Sequence, residues 1–477
     1  MIKKAFFHIF ETPYHKYLYD VNTNEILAIS EQLYMHLKKY LKEDPQITNV
    51  SFSLPPELQD EIMQLESNGY LKSKHPLVLE NPEIKNIDYL MSHHLRHLIL
   101  QVTQQCNFRC SYCPYTIGDN WTQRSHSSTR MEWKTAKKAI DFFAERIRDT
   151  SLPVIGFYGG EPLLEFELIK KTVLYAEDKM KGKNVVFNMT TNVTLMTEEI
   201  ARFLTEKKFN LLISLDGPAE IHDRSRRFAV DGTGTFHAVM EKVKKYSETI
   251  PGFARQLSFN AVLDPENDLA KVMRFFRQPL FQLGTVTVAD VVPPRGTKLV
   301  YTPQYIQESR KQGLLALLAV SGEIKSDSLD TMARKLYETI VSEQLRFVPR
   351  QELQDSAMHA GPCIPGIHKT FITANGDILP CEQCSETSDC MNLGNVFEGF
   401  NRTSVINLIN KTANSQLPCR DCWAISNCTL CAAQVDGYDN RSLQGQKCRS
   451  VRLDADRKLK KLAALQEVKA LERERLK

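Results

Sequence analysis

The 477-residue chain contains no run of about 18 consecutive apolar residues, so its sequence predicts no membrane span. At its start the apolar stretch Ala5-Phe6-Phe7 runs straight into His8 and Glu11. That is too short for a secretory signal, and the expected location is the reducing cytoplasm. A surplus of one charge is missing as well. The 61 Lys and Arg face 57 Asp and Glu, a formal net charge of +4, and without a basic excess to meet phosphates no nucleic-acid partner is expected. What the chain has is length and cysteine. It is too long for one ordinary core and predicts about two to four domains of about 100–200 residues. Its 12 cysteines, in a reducing compartment, read as metal ligands rather than disulfides.

The most informative segment is Cys106-Asn107-Phe108-Arg109-Cys110-Ser111-Tyr112-Cys113, three cysteines spaced CxxxCxxC directly after the apolar run Leu98-Ile99-Leu100-Gln101-Val102. Three thiolates can hold a four-iron cluster by three corners and leave the fourth iron open, unlike the four-cysteine ligation of an electron-transfer cluster. A zinc or disulfide loop is the competing reading, but no fourth ligand lies nearby. S-adenosylmethionine suits an open iron because its amino and carboxylate groups can chelate it beside a reducible cluster. The spacing, with Tyr112 before the last cysteine, resembles the signature of the radical SAM superfamily.

Residues 1–75 read as a small separate α+β unit. Apolar runs at 6–10, 17–19 and 26–29, with an Asn22-Thr23-Asn24 turn, predict strands. Ser30 can cap a helix carrying Leu33, Leu37 and Leu41, and a second helix runs from Glu57 to Asn68-Gly69. This order resembles the winged-helix-like domain that recognises precursor peptides in enzymes modifying ribosomal peptides, where a leader peptide adds to a sheet edge.

Over 95–295, strands expected at 98–103, 153–158, 184–190, 210–215, 256–263 and 284–290 alternate with helical patterns such as Ala136, Ala139, Ile140, Phe143 and Ile147 on one face. Such alternation implies parallel strands with right-handed crossovers. The predicted class is α/β, a partial (β/α)6 TIM-like barrel with chemistry at the carboxyl ends of its strands. Residues 296–355 read as a helical bridge with an apolar patch at Leu314, Leu315, Leu317 and Leu318. The cysteine-dense stretch 360–450 reads as a metal-stapled domain, and 451–477 as a charged, solvated and half-docked helix.

Several strand ends carry polar motifs. Gly159-Gly160-Glu161-Pro162 follows the second strand, and paired glycines let backbone approach a ligand while a glutamate can accept from an ammonium. Its placement is similar to the superfamily's GGE motif, which implies that Gly159, Gly160 and Glu161 hold the methionine amino group. The same resemblance implies that Tyr112 sits at the cofactor and that Asn192 and Ser214 lie in the ribose and carboxylate region. His222-Asp223-Arg224-Ser225-Arg226 and Gly232-Thr233-Gly234-Thr235-Phe236 follow an HDxxR then GxGTF pattern familiar from peptide-modifying members, implying that Arg226 pairs with the methionine carboxylate. Asp216 is the candidate base, beside Glu161. His93, His94 and His97 read as ordinary polar residues.

Nine further cysteines are Cys363, Cys381, Cys384, Cys390, Cys419, Cys422, Cys428, Cys431 and Cys448. CxxC pairs also suit tetrahedral zinc. Their order resembles the SPASM domain, with x2 where x3 is usual in the last central spacing. That resemblance implies two auxiliary four-iron clusters. Cys419, Cys422, Cys428 and Cys448 would bind the outer one; Cys363, Cys381 and Cys431 the inner one, whose fourth corner is Cys384 or Cys390, or open. With S-adenosylmethionine, this makes three [4Fe-4S] clusters. The layout resembles the thioether-forming peptide maturases and implies a leader-bearing precursor peptide and an electron donor such as flavodoxin or ferredoxin as partners. A carbon–carbon crosslinking or epimerising maturase and an anaerobic sulfatase maturase are the enzymatic alternatives. A non-catalytic iron–sulfur scaffold or electron carrier is the alternative outside catalysis.

Overall fold

The computed structural model describes residues 5–41, 55–113, 126–291, 298–358, 363–410, 419–431, 434 and 441–475. It opens with a three-stranded antiparallel sheet, β1 (Phe7–Glu11), β2 (Lys16–Asp20) and β3 (Glu25–Ile29), in that order. Asp20 makes the second turn tight by accepting from the Thr23 amide and hydroxyl, both at 2.9 Å, and Asn24 takes the left-handed conformation (φ 56°) that asparagine tolerates. Ser30 caps α1 (Glu31–Leu41), accepting from the Leu33 amide at 3.1 Å. One sheet face, with Phe7, Leu18 and Ile29, packs on Leu33 and Leu37 of α1 and Ile62 of α2 (Gln59–Ser67). The opposite face, with Phe6, Phe10, Tyr17 and Tyr19, packs on Trp423, Ile425, Ala455 and Leu459 from the far end of the chain.

After β4 (Val78–Leu79) and α3 (Ile87–His93) come six strands: β5 (His97–Thr103), β6 (Val154–Gly159), β7 (Val186–Thr191), β8 (Asn210–Ser214), β9 (Leu257–Leu263) and β10 (Val286–Asp290). They lie side by side in chain order, and every neighbouring pair is parallel. Helices α4 (Trp133–Ala144), α5 (Phe166–Lys179) and α6 (Glu198–Glu206) return the chain between successive strands. α7 (Ala219–Ser225) and α8 (Phe236–Thr249) do so before β9, and α9 (Leu269–Phe276) before β10. This is the partial α/β barrel that the alternation of patterns predicts. Along β9, Leu257, Phe259, Ala261 and Leu263 are buried while Ser258, Asn260 and Val262 are half-buried, and β7 alternates likewise. One face therefore lies beneath the helices. The other, carrying Asn188, Asn210, Ser214 and Asn260, stays partly open where a closed barrel would hold packed layers.

The sheet continues past β5, a feature not visible in the sequence patterns. Helices α10 (Pro303–Ser321) and α11 (Thr331–Arg346) pack on each other, and Leu314 of α10 points outward at 57% exposure, outside the apolar patch expected of it. β11 (Ser356–Ala357) then pairs with β4. β12 (Thr370–Ile372) adds in parallel to β5, and β13 (Ile378–Leu379) pairs back antiparallel. Their Phe371, Ile372 and Ile378 are wholly buried, so the cysteine-rich region is grafted on the barrel's own sheet. α12 (Arg402–Ile409) follows.

The tail departs from expectation too. α13 (Arg441–Arg475) runs unbroken through the boundary expected at 450, carrying Cys448 on its body. Its packing side buries Leu459, Leu462, Ala463 and Leu465, while Leu453, Asp454 and Arg457 stay in solvent, as a half-docked charged helix requires. Glu467 accepts from the hydroxyls of Thr12 (2.6 Å) and Tyr17 (2.8 Å) and meets His15 at 3.0 Å. Among the described residues no helix is long and apolar enough to cross a membrane. Leu459→Ala is expected to destabilise the protein by about 2–5 kcal/mol and to open the tail to proteolysis. An unchanged thermal midpoint and digestion pattern would show that the docking carries no stability.

Candidate functional site

The cysteine loop leaves the carboxyl end of β5 and is clasped from two sides. On one side it runs against residues 225–229: the Arg109 amide donates to the Arg227 carbonyl (2.8 Å), Ser111 to Ser225 (3.0 Å) and Ala229 to Asn107 (2.8 Å), while Phe108 and Phe228 meet edge to face at 5.3 Å. On the other it lies on the end of β6. The Gly160 and Glu161 amides donate to the carbonyls of Thr103 (2.9 Å) and Gln105 (2.8 Å). A Cβ on Gly159 would stand 2.1 Å from the Thr103 oxygen, and one on Gly160 would stand 1.9 Å from that of Gln105. The paired glycines are thus needed by the cysteine loop itself, not only by an approaching ligand. A cavity of about 370 Å³ opens beside Cys106, with Asn107, Arg109 and Ser127 in its wall.

Glu161 corrects its expected role. Its carboxylate is buried and already accepts from the Thr191 hydroxyl (2.5 Å), the Asn192 amide (2.8 Å) and the Leu163 amide (3.1 Å). It braces β6 to β7 and is not presented to an ammonium. Burial pushes its pKa up to about 7, against which those three donors act. Asn192 donates to the Asn107 side chain at 2.8 Å and so ties the β7 end to the cysteine loop. Ser214, the last residue of β8, is half-buried on the open face of the sheet.

Arg226 and Asp216 also differ from expectation. The Arg226 guanidinium grips the Asp216 carboxylate with two bonds (2.9 and 3.0 Å), both side chains being buried, and so is not available to a methionine carboxylate. The Val262 amide (3.0 Å) and the Tyr112 hydroxyl also donate to Asp216. Burial alone would raise the Asp216 pKa, but the Arg226 charge overrides it and holds the carboxyl below its ordinary range. A carboxylate so stabilised is a poor proton acceptor. Tyr112 reaches into this same pair, with Arg226 5.4 Å from its ring centre.

The rest of the HDxxR and GxGTF patterns forms a lock. Asp223 accepts from the amides of Thr235 (2.7 Å) and Phe236 (2.9 Å) at the start of α8, against Gly234, whose added Cβ would lie 2.4 Å from it. His222, pushed down to about 4 by burial, is neutral. It takes the Asp216 amide on Nδ1 (3.3 Å) and meets the Thr235 hydroxyl through Nε2 (3.0 Å). Asn107 lies inside the cysteine motif, but the sequence patterns give it no role. A CxxxCxxC spacing says nothing of the polar residue inside it.

None of the twelve cysteines is in a disulfide. Burial pushes Cys106 up to about 12 and Cys110 to about 11, and each feels the charge of other loop thiols. Farther on, Cys419 is raised to about 12 by burial and then by Cys422, Cys448 and Cys428, and Cys428 likewise by burial, Cys422 and Cys448. A second neighbourhood holds Cys363, Cys381, Cys384 and Cys431, with the Cys381 and Cys384 sulfurs 3.8 Å apart. Cys390 stands by the Ser388 hydroxyl at 3.2 Å instead. Among the described residues no three or more Cys, His, Asp or Glu draw together to clasp one metal ion.

Residues 100–277 match the profile of the Radical SAM superfamily. The chain carries a radical SAM domain. A cysteine-type anaerobic sulfatase-maturating enzyme of Clostridium perfringens is 28% identical over 192 residues, 39% of this chain and 49% of that protein. The radical SAM cyclopropyl synthase TigE of Paramaledivibacter caminithermalis is 22% identical over 258 residues, 50% of this chain and 52% of that protein. The chain spans about half the length, or less, of the curated relatives it matches. Among solved structures, anSMEcpe with bound AdoMet and Kp18Cys peptide aligns with a TM-score of 0.56 at 18% identity, covering 78% of this chain and 98% of that one. It shares the barrel fold. In the radical SAM domain, Gly160→Ala is expected to push the Gln105–Cys106 peptide away and abolish iron uptake by the three-cysteine loop. Iron analysis after anaerobic reconstitution checks this, and full loading would show that the close approach does not set the loop.

Proposed function

We propose that the protein is a radical SAM oxidoreductase that modifies a ribosomally synthesised precursor peptide, joining a cysteine sulfur to a carbon of another residue as a thioether. The observation carrying this reading is the three-thiol loop at the barrel rim combined with two further cysteine neighbourhoods and an N-terminal sheet, all in one chain. In this reading Cys106, Cys110 and Cys113 hold the first [4Fe-4S] cluster. Cys363, Cys381, Cys384 and Cys431 hold the inner auxiliary cluster and Cys419, Cys422, Cys428 and Cys448 the outer one, Cys384 being preferred to Cys390 for its place beside Cys381. Bound at the open iron, S-adenosylmethionine supplies a hydrogen-abstracting 5'-deoxyadenosyl radical.

The chain's residues position and exclude. With the side chains of Glu161 and Arg226 committed to protein partners, cofactor contacts fall to the backbone at Gly159 and Gly160 and to Asn192 and Ser214. Forming a thioether removes one carbon-bound and one sulfur-bound hydrogen. One hydrogen atom goes to the radical, one electron to an auxiliary cluster and one proton to a base other than Asp216. Residues 1–75 serve as the leader-recognition domain, 95–295 as the barrel, 296–355 as the bridge and 360–450 as the SPASM domain, with flavodoxin or ferredoxin as electron donor in the cytoplasm. The 28% identity to a sulfatase-maturating enzyme supports a second reading, oxidation of a single residue in a protein substrate.

Reconstituted protein given S-adenosylmethionine and a strong reductant is expected to form 5'-deoxyadenosine, and Cys106→Ala, Cys110→Ala or Cys113→Ala to reduce it to background. Product surviving these changes would refute the cluster assignment. Coexpression with a short cysteine-containing reading frame flanking the gene separates the reactions by mass and thiol alkylation. Loss of two hydrogens with one thiol consumed marks a thioether; the same loss with all thiols kept marks a carbon–carbon bond; loss of two hydrogens together with replacement of one sulfur by oxygen marks sulfatase-maturase-like oxidation.

A further inference from the structure

The N-terminal region does more than border the C-terminal cysteines: the sheet and the His75 segment packed on it touch the chain beside Cys419, Cys422 and Cys428, and the sheet meets α13 two turns past Cys448. Between Cys419 and Cys422, His75 meets the Arg420 carbonyl at 3.3 Å and the Asp421 carboxylate at 3.2 Å through Nδ1, while its ring stacks on Phe6 at 4.2 Å. Next to Cys422, the Trp423 indole lies flat on the His8 ring of β1, with centroids 3.7 Å apart and planes 4° from parallel. Next to Cys428, the Asn427 amide donates to the buried Tyr19 hydroxyl of β2 at 3.0 Å, and the Asn427 carbonyl takes the Lys458 ammonium of α13 at 2.9 Å. Two turns beyond Cys448, Asp456 of α13 meets His8 Nε2 at 3.0 Å. His8 therefore holds two legs of the cysteine group at once, one by stacking and one by hydrogen bonding.

We propose that the N-terminal sheet, with the His75 segment stacked on its Phe6, is the template of the outer auxiliary cluster, His8, Tyr19 and His75 being positioning residues that hold its cysteines in register. This rests on the assignment of Cys419, Cys422, Cys428 and Cys448 as cluster ligands. A loop of cysteines with little regular structure cannot hold its own sulfurs against chain entropy, and partners just outside a metal's ligands orient them and tune the metal. Here those partners come from the other end of the chain. Because the sheet is also the proposed leader-binding unit, whatever binds there and the state of this cluster are linked, and the linkage is reciprocal.

The test uses the full-length protein, reconstituted anaerobically. Tyr19→Phe removes one hydroxyl without removing bulk, and His8→Ala removes the stack and the Asp456 bond. Each is expected to lose about four iron atoms per chain, or to change the paramagnetic resonance signal of the outer cluster, while 5'-deoxyadenosine formation persists as a sign of an intact barrel. Glu467→Ala, which loosens the same sheet from α13 far from the cysteines, is the control and is expected to keep wild-type iron and signal. Wild-type iron and spectra in Tyr19→Phe and His8→Ala, or equal losses in Glu467→Ala, would overturn the proposal. Iron content insensitive to Cys428→Ala would instead remove the outer cluster assignment, and the proposal with it, while leaving the three-cysteine loop untouched.

Discussion

One buried carboxylate, that of Glu161, holds the working end of this barrel in a single arrangement. Taking a carboxylate out of water is unfavourable, and its raised pKa of about 7 measures that burden. It stays because three donors from two segments converge on it. The backbone on which it sits lies against the cysteine loop through Gly160 and Gln105, at a separation no side chain could share. The thiols are therefore presented by contacts between protein groups. With Cys106 and Cys110 raised to about 12 and 11, they stay protonated at neutral pH until a metal displaces the protons.

The Asp216–Arg226 pair does the corresponding work on the next strand end. A buried ion pair adds little net stability, since desolvation offsets most of its attraction. Its value here is orientation. Asp216 gathers Arg226, Tyr112 and the Val262 amide, and Arg226 sits within the segment 225–229 that lines the cysteine loop. The histidine and aspartate of the neighbouring motif anchor the same turn to α8. Motifs that resemble ligand contacts thus serve first as the joinery that fixes where a ligand would stand.

This explains what could be read in the sequence and what could not. The six parallel strands were legible because helical and strand periodicities alternate without interruption from residue 98 to 290. The cysteine loop was legible because three thiols at that spacing have few other uses. The protein partners of Glu161, Asp216 and Arg226 are not legible in the sequence, because a charged residue at a strand end looks the same whether it faces a ligand or a buried partner ten or thirty residues away. β12 and β13 are too short for periodicity to register; only pairing with β5 makes them strands. For the tail, Leu459, Leu462 and Leu465 show that a helix has an apolar side to dock, not that the N-terminal sheet covers it.

The two auxiliary cysteine neighbourhoods rest mainly on different parts of the molecule and are joined where Cys431 follows Cys428 by three residues. Cys381 and Cys384 follow β13, which continues the barrel sheet, and two residues later Glu386 takes the side chain of Gln104 at 2.9 Å and that of Gln101 on β5. Cys419, Cys422, Cys428 and Cys448 lean on the N-terminal sheet and α13. A shift of the N-terminal sheet against the barrel would therefore pull on the inner group only through the short Cys428–Cys431 link. Cys381 and Cys384 are thus held by the strand pairing that also launches the cysteine loop, while the neighbours of the outer group are held by the N-terminal sheet and α13.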